Sequence, residues 1–127
     1  GYLGVSGVSN DSRDLIAKVE EGHKRSILAI QLQAKRIADY IGSYYIRLKG
    51  LDAIAFTAGI GENAPTVRKA VCEYLGYLGV KIDDAANEAG ADDSIITTAD
   101  SKTKVLVVPT NEELMIARET VEVVSNL

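Results

Sequence analysis

The stretch Phe56–Ala70, FTAGIGENAPTVRKA, places two glycines one residue apart between an apolar run and a proline. The preceding run, Leu51–Thr57, has the composition of a buried strand. Pro65 marks the start of a helix, because a proline in the first helical turn loses no internal hydrogen bond. A strand, a glycine-bearing turn and a helix therefore follow one another, and the glycines would let another group approach the backbone closely.

Two helices are predicted before this stretch. The longer one covers Lys24–Leu48, where apolar residues recur three and four positions apart and so share one face. A shorter one ends near Glu21, and Ser9, Asn10 or Asp11 would cap it. The glycine-punctuated residues 1–8 are expected to form a loop or short strand pieces.

Helices and strands also alternate after the glycines. The predicted elements are a helix over Pro65–Leu78, a short strand over Val80–Asp83, strands over Ser94–Ala99 and Thr103–Thr110, and a final helix capped by Thr110 or Asn111. The polar segment 84–93 between them is expected to be a loop with a helical turn. This alternation predicts an α/β fold with a partly parallel sheet flanked by helices.

Composition limits the possible partners. The 127 residues carry a net charge of −4 without a dense Lys/Arg block, which argues against nucleic acid as a partner. No apolar run approaches the ~18 residues of a membrane span. The single cysteine, Cys72, cannot form an internal disulfide, so we expect a cytoplasmic protein. Because the chain begins with Gly1 and its only methionine is Met115, we expect it to be a piece of a longer protein.

The glycine pattern has more than one interpretation. Gly59, Gly61 and Ala64 satisfy the dinucleotide fingerprint G-x-G-x-x-[GA], and Asp83 follows the next predicted strand, as in an NAD-dependent oxidoreductase. Pro65 argues against that interpretation, because it removes an amide where a pyrophosphate would bind. A plainer alternative is a tight turn in which the glycines adopt positive φ angles. The polar pair that follows, Glu62-Asn63, favours a binding site.

A second strand-to-helix turn lies near the end of the chain, where VLVVPTNEELMIA spans residues 105–117. Glu112 and Glu113 would occupy the first turn of the helix, where carboxylates complement the helix dipole by ~0.3–1 kcal/mol each. Alternatively, Glu112 holds Mg²⁺, a hard cation that prefers oxygen ligands. Ligands of open α/β sheets bind beyond the carboxyl ends of strands, where the turns 57–64 and 109–113 would both lie.

The third candidate is Ser9–Asp14, SNDSRD. It is either a helix cap followed by solvated charges or one edge of a nucleotide pocket. In the second case Asp11 and Arg13 would line the pocket, with the planar guanidinium of Arg13 beside a base or ribose.

Three segments together resemble the acetate kinase family: GVSGVSNDSRDL (residues 4–15), FTAGIGENAPTVR (56–68) and VVPTNEELMIARET (107–120). That family belongs to the acetate and sugar kinase, Hsp70 and actin superfamily. The resemblance implies an actin-like ATPase (ribonuclease H-like) fold, of which residues 1–127 would be the carboxy-terminal nucleotide-binding portion. It also implies transfer of a phosphoryl group between ATP and acetate, giving acetyl phosphate and ADP, with Mg²⁺. Propionate kinases share these motifs, so propionate remains an alternative substrate.

The resemblance also implies which residues bind. One ATP-binding segment would be Asp11, Ser12 and Arg13, and the adenosine-binding loop would be Gly59, Ile60, Gly61, Glu62 and Asn63. Glu112 matches the magnesium-binding glutamate of the family, and its neighbour Glu113 has a weaker claim.

The chain departs from the family in extent, because members of the family are much longer. The amino-terminal domain that binds the carboxylate substrate lies outside it, as do the His and Arg residues that stabilise the transferring phosphoryl group. We therefore expect no catalytic residue in this chain and no turnover by the chain alone. The family implies a homodimer joined through the carboxy-terminal domain, and a non-catalytic structural or dimerisation fragment is the alternative. The only histidine, His23, is expected to be a solvated polar residue.

Overall fold

A computed structural model describes residues 1–126. In chain order the helices are α1 (Tyr2–Ser6), α2 (Ser12–Glu20), α3 (Lys24–Leu48), α4 (Ala58–Asn63), α5 (Pro65–Tyr74), α6 (Asp84–Ala89) and α7 (Glu112–Ser125). The strands are β1 (Ala53–Phe56), which lies between α3 and α4, and β2 (Ser94–Ile95) and β3 (Lys104–Val107), which lie between α6 and α7. Within residues 1–126, no helix combines the length and the apolar character needed to cross a membrane.

The three strands form one small mixed sheet in the order β1-β3-β2. β1 runs parallel to β3 with Phe56 opposite Val107, and β2 runs antiparallel to β3. The central strand is the most deeply placed, since Val105 and Val107 are both fully buried. A mixed sheet flanked by helices confirms the predicted α/β class.

The long helix α3 spans the predicted residues, Lys24–Leu48. Its buried positions are Ser26, Ala29, Ile30, Ala34 and Ala38, of which Ile30 and Ala34 belong to the predicted apolar face. The predicted face is not buried along its whole length, because Tyr44 and Leu48 are more than half exposed. The helix α3 makes its most extensive contacts with α5, α1 and α2. His23 is not simply a solvated side chain, because it caps the helix by accepting a hydrogen bond from the Ser26 N–H.

The amino terminus differs from the prediction of a loop or strand pieces. Residues 2–6 form the short helix α1, which packs on α3. It ends at Gly7, whose φ of 70° is left-handed and whose N–H bonds the Leu3 carbonyl. The glycines that indicated a loop therefore include the residue that ends a helical turn.

Other predicted elements are shorter in the structure. The helix from Pro65 stops at Tyr74, and a single 3-10 turn over Gly76–Leu78 follows it. The strand expected over Val80–Asp83 is reduced to one bridge between Ile82 and Thr97. The two later strands keep only the residues that pair with a neighbouring strand, because an apolar run alone does not show where pairing ends.

Candidate functional site

Two strand-to-helix turns meet at one edge of the sheet. β1 leads into α4 and β3 leads into α7, and these parallel strands end side by side with Phe56 paired to Val107. The first residue of one turn touches the other turn, since the hydroxyl oxygens of Thr57 and Thr110 are 2.6 Å apart. The structure therefore brings together the two turns that the sequence predicted to share an edge.

Thr110 joins the two turns by hydrogen bonds. Its hydroxyl accepts from the Ala58 N–H at 2.7 Å and donates to Oε1 of Glu62 at 2.9 Å. The same carboxylate oxygen accepts the Thr110 N–H at 3.0 Å. Because an ionised carboxylate only accepts, the Thr110 hydroxyl must donate to it, and the Thr57 hydroxyl must donate to Thr110. These bonds lower the pKa of Glu62, with the hydroxyl of Thr110 as the largest cause.

Both turns contain a non-glycine residue in the left-handed region. Ala58 has φ 58° and Asn111 has φ 51°, a conformation that costs a residue with a Cβ about 1–2 kcal/mol. The alternative in which these glycines adopt positive φ angles is therefore wrong, since Gly59 and Gly61 lie inside the helix α4 and have no positive φ. The segment expected to be the adenosine-binding loop, residues 59–63, is likewise helical.

The two glycines have different surroundings. A Cβ on Gly61 would lie 3.1 Å from the carbonyl carbon of Phe56, so the missing side chain there is explained by packing against β1. A Cβ on Gly59 would meet nothing within 4 Å. Space for a ligand therefore exists at Gly59, whereas at Gly61 the closest group is the protein's own backbone.

Two cavities open at this edge, and Gly59 lines both. The first, of about 320 Å³, is lined by Ser12, Arg13, Ile16, Gly59, Ile60, Asn63 and Ala64. The second, of about 390 Å³, is lined by Ala58, Gly59, Glu62, Thr110, Asn111, Glu112, Glu113 and Leu114. Most of the residues predicted to bind the nucleotide therefore line the first cavity, and Glu112 lines the second. Asp11 and Gly61 line neither.

Asp11 does not line the first cavity itself, but it pairs with Arg13, which does. It caps α2 by accepting the Arg13 N–H at 2.9 Å, and its carboxylate pairs with the Arg13 guanidinium at 2.6 Å. The hydrogen bonds from Arg13 lower the pKa of Asp11 to about 2. Arg13 itself is 88% exposed, so its guanidinium is anchored by a carboxylate and still open to a ligand.

The polar side chains of α4 are partly used within the protein. The amide nitrogen of Asn63 donates to the Gly59 carbonyl at 3.0 Å, and the carboxylate of Glu62 is held by Thr110. Asn63 keeps its amide oxygen and its second N–H for another partner. Glu62 is better placed to fix the two turns than to bind a ligand.

Glu112 and Glu113 have the chemistry expected of a magnesium site. Within the described residues 1–126, no hydrogen bond or ion pair uses either carboxylate, and both residues line the second cavity. The same part of the chain holds no cluster of three side chains of the usual metal-binding types. Mg²⁺ commonly keeps several waters and takes one or two carboxylates together with substrate phosphates. One free carboxylate beside an open cavity fits that kind of site.

The dinucleotide interpretation is not supported by this geometry. Gly59 and Gly61 belong to a helix and not to a phosphate-binding loop. Asp83 caps α6 by accepting the Ala86 N–H at 3.0 Å, so its carboxylate has a structural partner.

Sequence reasoning missed the linking role of Thr110, which it treated only as a candidate helix cap. The available signal was that the predicted strands over Leu51–Thr57 and Thr103–Thr110 both end in threonine. Hydroxyls at the ends of adjacent parallel strands meet at the same edge of a sheet.

We expect Thr110→Val to lower the free energy of unfolding by about 1–2 kcal/mol, because one hydroxyl carries three hydrogen bonds. Urea denaturation at neutral pH measures the effect, and Thr110→Ser, which keeps the hydroxyl, is the control. The pKa of Glu62 is lowered in the folded state, so its contribution is present at neutral pH and is lost as the pH falls through that pKa. The difference in the free energy of unfolding between Thr110→Val and the wild type should become smaller over the same pH range. An equal loss of stability in Thr110→Ser would contradict this account.

The fold and site together define an α/β protein with cavities beyond the carboxyl ends of two parallel strands, which is where open α/β sheets bind their ligands. Residues 1–118 match the model of the Acetokinase family, and the chain belongs to that family. It is 60% identical over 119 residues to an acetate kinase of Acholeplasma laidlawii, a match that covers 94% of this chain and 30% of that protein. An acetate kinase of Fervidobacterium nodosum is 56% identical over 126 residues, covering 98% of this chain and 31% of its own length.

Solved structures agree with this assignment. The crystal structure of Porphyromonas gingivalis acetate kinase superposes with a TM-score of 0.83 at 40% identity, covering 98% of this chain and 31% of that one. A propionate kinase from Francisella tularensis gives 0.84 at 39% identity, covering 94% and 30%. Acetate kinases have an actin-like ATPase fold, so the predicted fold is confirmed. The chain spans about 30% of the length of the relatives it matches.

Proposed function

We propose that this chain is the carboxy-terminal nucleotide-binding portion of an acetate kinase, which transfers a phosphoryl group reversibly between ATP and acetate to give acetyl phosphate and ADP. One observation carries the proposal: Gly59 lines both the cavity bounded by Ser12 and Arg13 and the cavity bounded by Glu112. If the adenosine of a nucleotide occupies the first cavity, its phosphates and a cation can lie in the second cavity, which is acidic and adjoins the first. The similarity to acetate kinases supports the same assignment.

The nucleotide would lie against residues that are open in the structure. Arg13, anchored by Asp11, would place its planar guanidinium beside the base or ribose. Gly59 leaves room for close approach, and Ile60 offers an apolar side chain that is 36% exposed. Asn63 would contribute the amide groups that its bond to Gly59 leaves free. In this assignment Asp11 and Glu62 position other groups, and Gly61 shapes α4.

Glu112 would hold Mg²⁺, with Glu113 as the neighbouring carboxylate in the same cavity. When bound, the ion would offset the negative charge of the nucleotide phosphates. The residues of this chain orient that arrangement through the bonds between Thr110 and Glu62, which fix the turn bearing Glu112 relative to α4.

Phosphoryl transfer depends on positioning and on charge stabilisation at the transferring group. We place the carboxylate pocket and the further cationic groups in parts of the protein outside these 127 residues, so the chain alone should not turn over. A homodimer and a cytoplasmic location belong to the same proposal. Propionate is the second candidate substrate, because a propionate kinase superposes on this chain as well as the acetate kinases do.

The full-length protein tests the proposal directly. It should release ADP from ATP only when a carboxylate and Mg²⁺ are both present, and trapping with hydroxylamine should detect acetyl phosphate. The kcat/KM for acetate should exceed that for propionate. ADP release that needs no carboxylate, or no ADP release at all, would refute the proposed activity, and a preference for propionate would select the alternative substrate.

A further inference from the structure

Arg68 is a buried cation that the proposed site does not use directly. It lies in α5, is 1% exposed and ranks with the largest fully buried side chains. Within residues 1–126 no carboxylate lies at ion-pair distance from it. Burial lowers the pKa of Arg68. Because a buried guanidinium without compensation costs several kcal/mol, its surroundings must replace the lost water.

Carbonyl groups at the ends of two helices supply that compensation. Nη1 donates to the carbonyls of Gly61 and Glu62 at 2.9 and 2.8 Å, in the last turn of α4. Nε donates to the side-chain oxygen of Asn87 at 2.9 Å, and Nη2 donates to the Asn87 carbonyl at 2.5 Å, in the last turn of α6. The carboxyl ends of helices carry unsatisfied carbonyls and partial negative charge, so they can stabilise a cation.

The sequence explains why α4 needs such a partner. In a continuing helix the Gly61 carbonyl would accept from the N–H of residue 65, but Pro65 has no N–H. α4 has only six residues, two of them glycines, and helices this short are not stable by themselves. The guanidinium of Arg68 therefore supplies the hydrogen bond that Pro65 cannot donate to the Gly61 carbonyl, and it also donates to the Glu62 carbonyl.

Asn87 completes this connection. Its amide nitrogen donates to the Pro65 carbonyl at 3.0 Å while its oxygen accepts from Arg68. Gly90 makes room for the guanidinium, because a Cβ there would lie 3.0 Å from Nη2. Arg68 and Asn87 thus tie the last turns of α4 and α6 to the start of α5.

We propose that Arg68 is a positioning residue for nucleotide binding. It would fix the last turn of α4, and with it the cavity walls formed by Gly59, Ile60 and Asn63, without touching the nucleotide. This inference rests on the proposed function. It predicts that loosening the carboxyl end of α4 weakens nucleotide binding and leaves the carboxylate substrate unaffected.

Arg68→Lys in the full-length protein provides the test. Lysine keeps the charge, but a single ammonium group cannot span the α4 carbonyls and Asn87 as the guanidinium fork does. We expect the KM for ATP and the Kd for ADP to rise about tenfold, as expected for losing hydrogen bonds to a charged group. The KM for acetate should stay within about twofold of the wild type, since tight positioning is lost only at the nucleotide.

Thr103→Val is the matched control. Thr103 is buried and donates one hydrogen bond to the Leu51 carbonyl at 2.9 Å, and it precedes β3 at the end of the strand away from the cavities. We expect it to lower stability while leaving the nucleotide KM unchanged. If Arg68→Lys does not fold, Asn87→Ala is the deciding variant: it removes the side-chain acceptor that orients Nε, so Nη1 is held less firmly in line with the α4 carbonyls and the Kd for ADP should still rise.

The possible outcomes separate the two proposals. A wild-type protein that binds no ADP would refute the proposed function, and this inference with it. Wild-type ADP binding with an unchanged Kd in Arg68→Lys, or in Asn87→Ala where only that variant folds, would refute the positioning role alone. An equal rise of the nucleotide KM in Thr103→Val would also refute it, because the effect would then reflect general loosening. A rise confined to the Arg68 or Asn87 variant would support it.

Discussion

Glu112→Gln in the full-length protein is expected to lower Mg²⁺-dependent turnover by about 10- to 100-fold and to raise the Mg²⁺ concentration needed for half-maximal activity. Glutamine keeps the shape of the side chain and removes the charge that a hard cation prefers. The folded protein should change little in stability, because no hydrogen bond or ion pair within residues 1–126 uses the Glu112 carboxylate. Initial rates over a series of Mg²⁺ concentrations, together with urea denaturation, measure both effects.

Glu113→Gln is the control for this experiment. It removes the same charge from the same first turn of α7 and from the same cavity. Any effect on the helix dipole should therefore be shared by the two variants, whereas the magnesium response should change mainly in Glu112→Gln. A large loss of stability with an unchanged magnesium response in Glu112→Gln, or equal responses in both variants, would contradict the assignment of Glu112.

The parts of the fold that the sequence predicted well carry their own local signal. α3 was predicted to the residue because 25 residues repeat an apolar pattern with the period of a helix. Pro65 marked the start of α5 for an equally local reason. Such features depend on residues close together in the chain, so they can be read without knowledge of the fold.

The site was predicted less completely because its decisive contacts join distant residues. The sequence singled out several residues of both cavities, including Arg13, Gly59 and Glu112, but not others such as Ile16 and Leu114. It could not show that Thr110 contacts Glu62, 48 residues earlier, or that Asn87 contacts Arg68, 19 residues earlier. These contacts also explain why residues 58–63 form a helix, which their two glycines and lack of apolar periodicity did not suggest.

The final helix, α7, shows that a correctly predicted helix can still differ from expectation in its burial. Its helical pattern was predicted, yet none of its described residues is buried. Large apolar side chains such as Leu114, Met115 and Ile116 are about half exposed or more. Periodicity predicts that a helix forms, but only tertiary contacts decide what covers its apolar side.

Matched alanine substitutions at the two glycines of α4 should have opposite effects. Gly61→Ala should lower the free energy of unfolding by about 1–3 kcal/mol, because its Cβ would lie 3.1 Å from the backbone of Phe56, which cannot easily move. Gly59→Ala should leave stability unchanged or raise it by up to about 1 kcal/mol, since alanine favours a helix and its Cβ meets nothing within 4 Å. Urea denaturation of the full-length protein measures both changes.

Nucleotide affinity should distinguish the two variants in the opposite way from stability: Gly59→Ala should be the more affected. The methyl group of Gly59→Ala enters the open space where the two cavities adjoin, so the Kd for ADP should rise about tenfold or more. Folded Gly61→Ala should bind ADP more nearly as the wild type does, because Gly61 lines neither cavity. Calorimetric titration of both variants with ADP gives the comparison. Wild-type affinity in Gly59→Ala would place the nucleotide elsewhere, and wild-type stability in Gly61→Ala would show that β1 and α4 pack less tightly than the structure indicates.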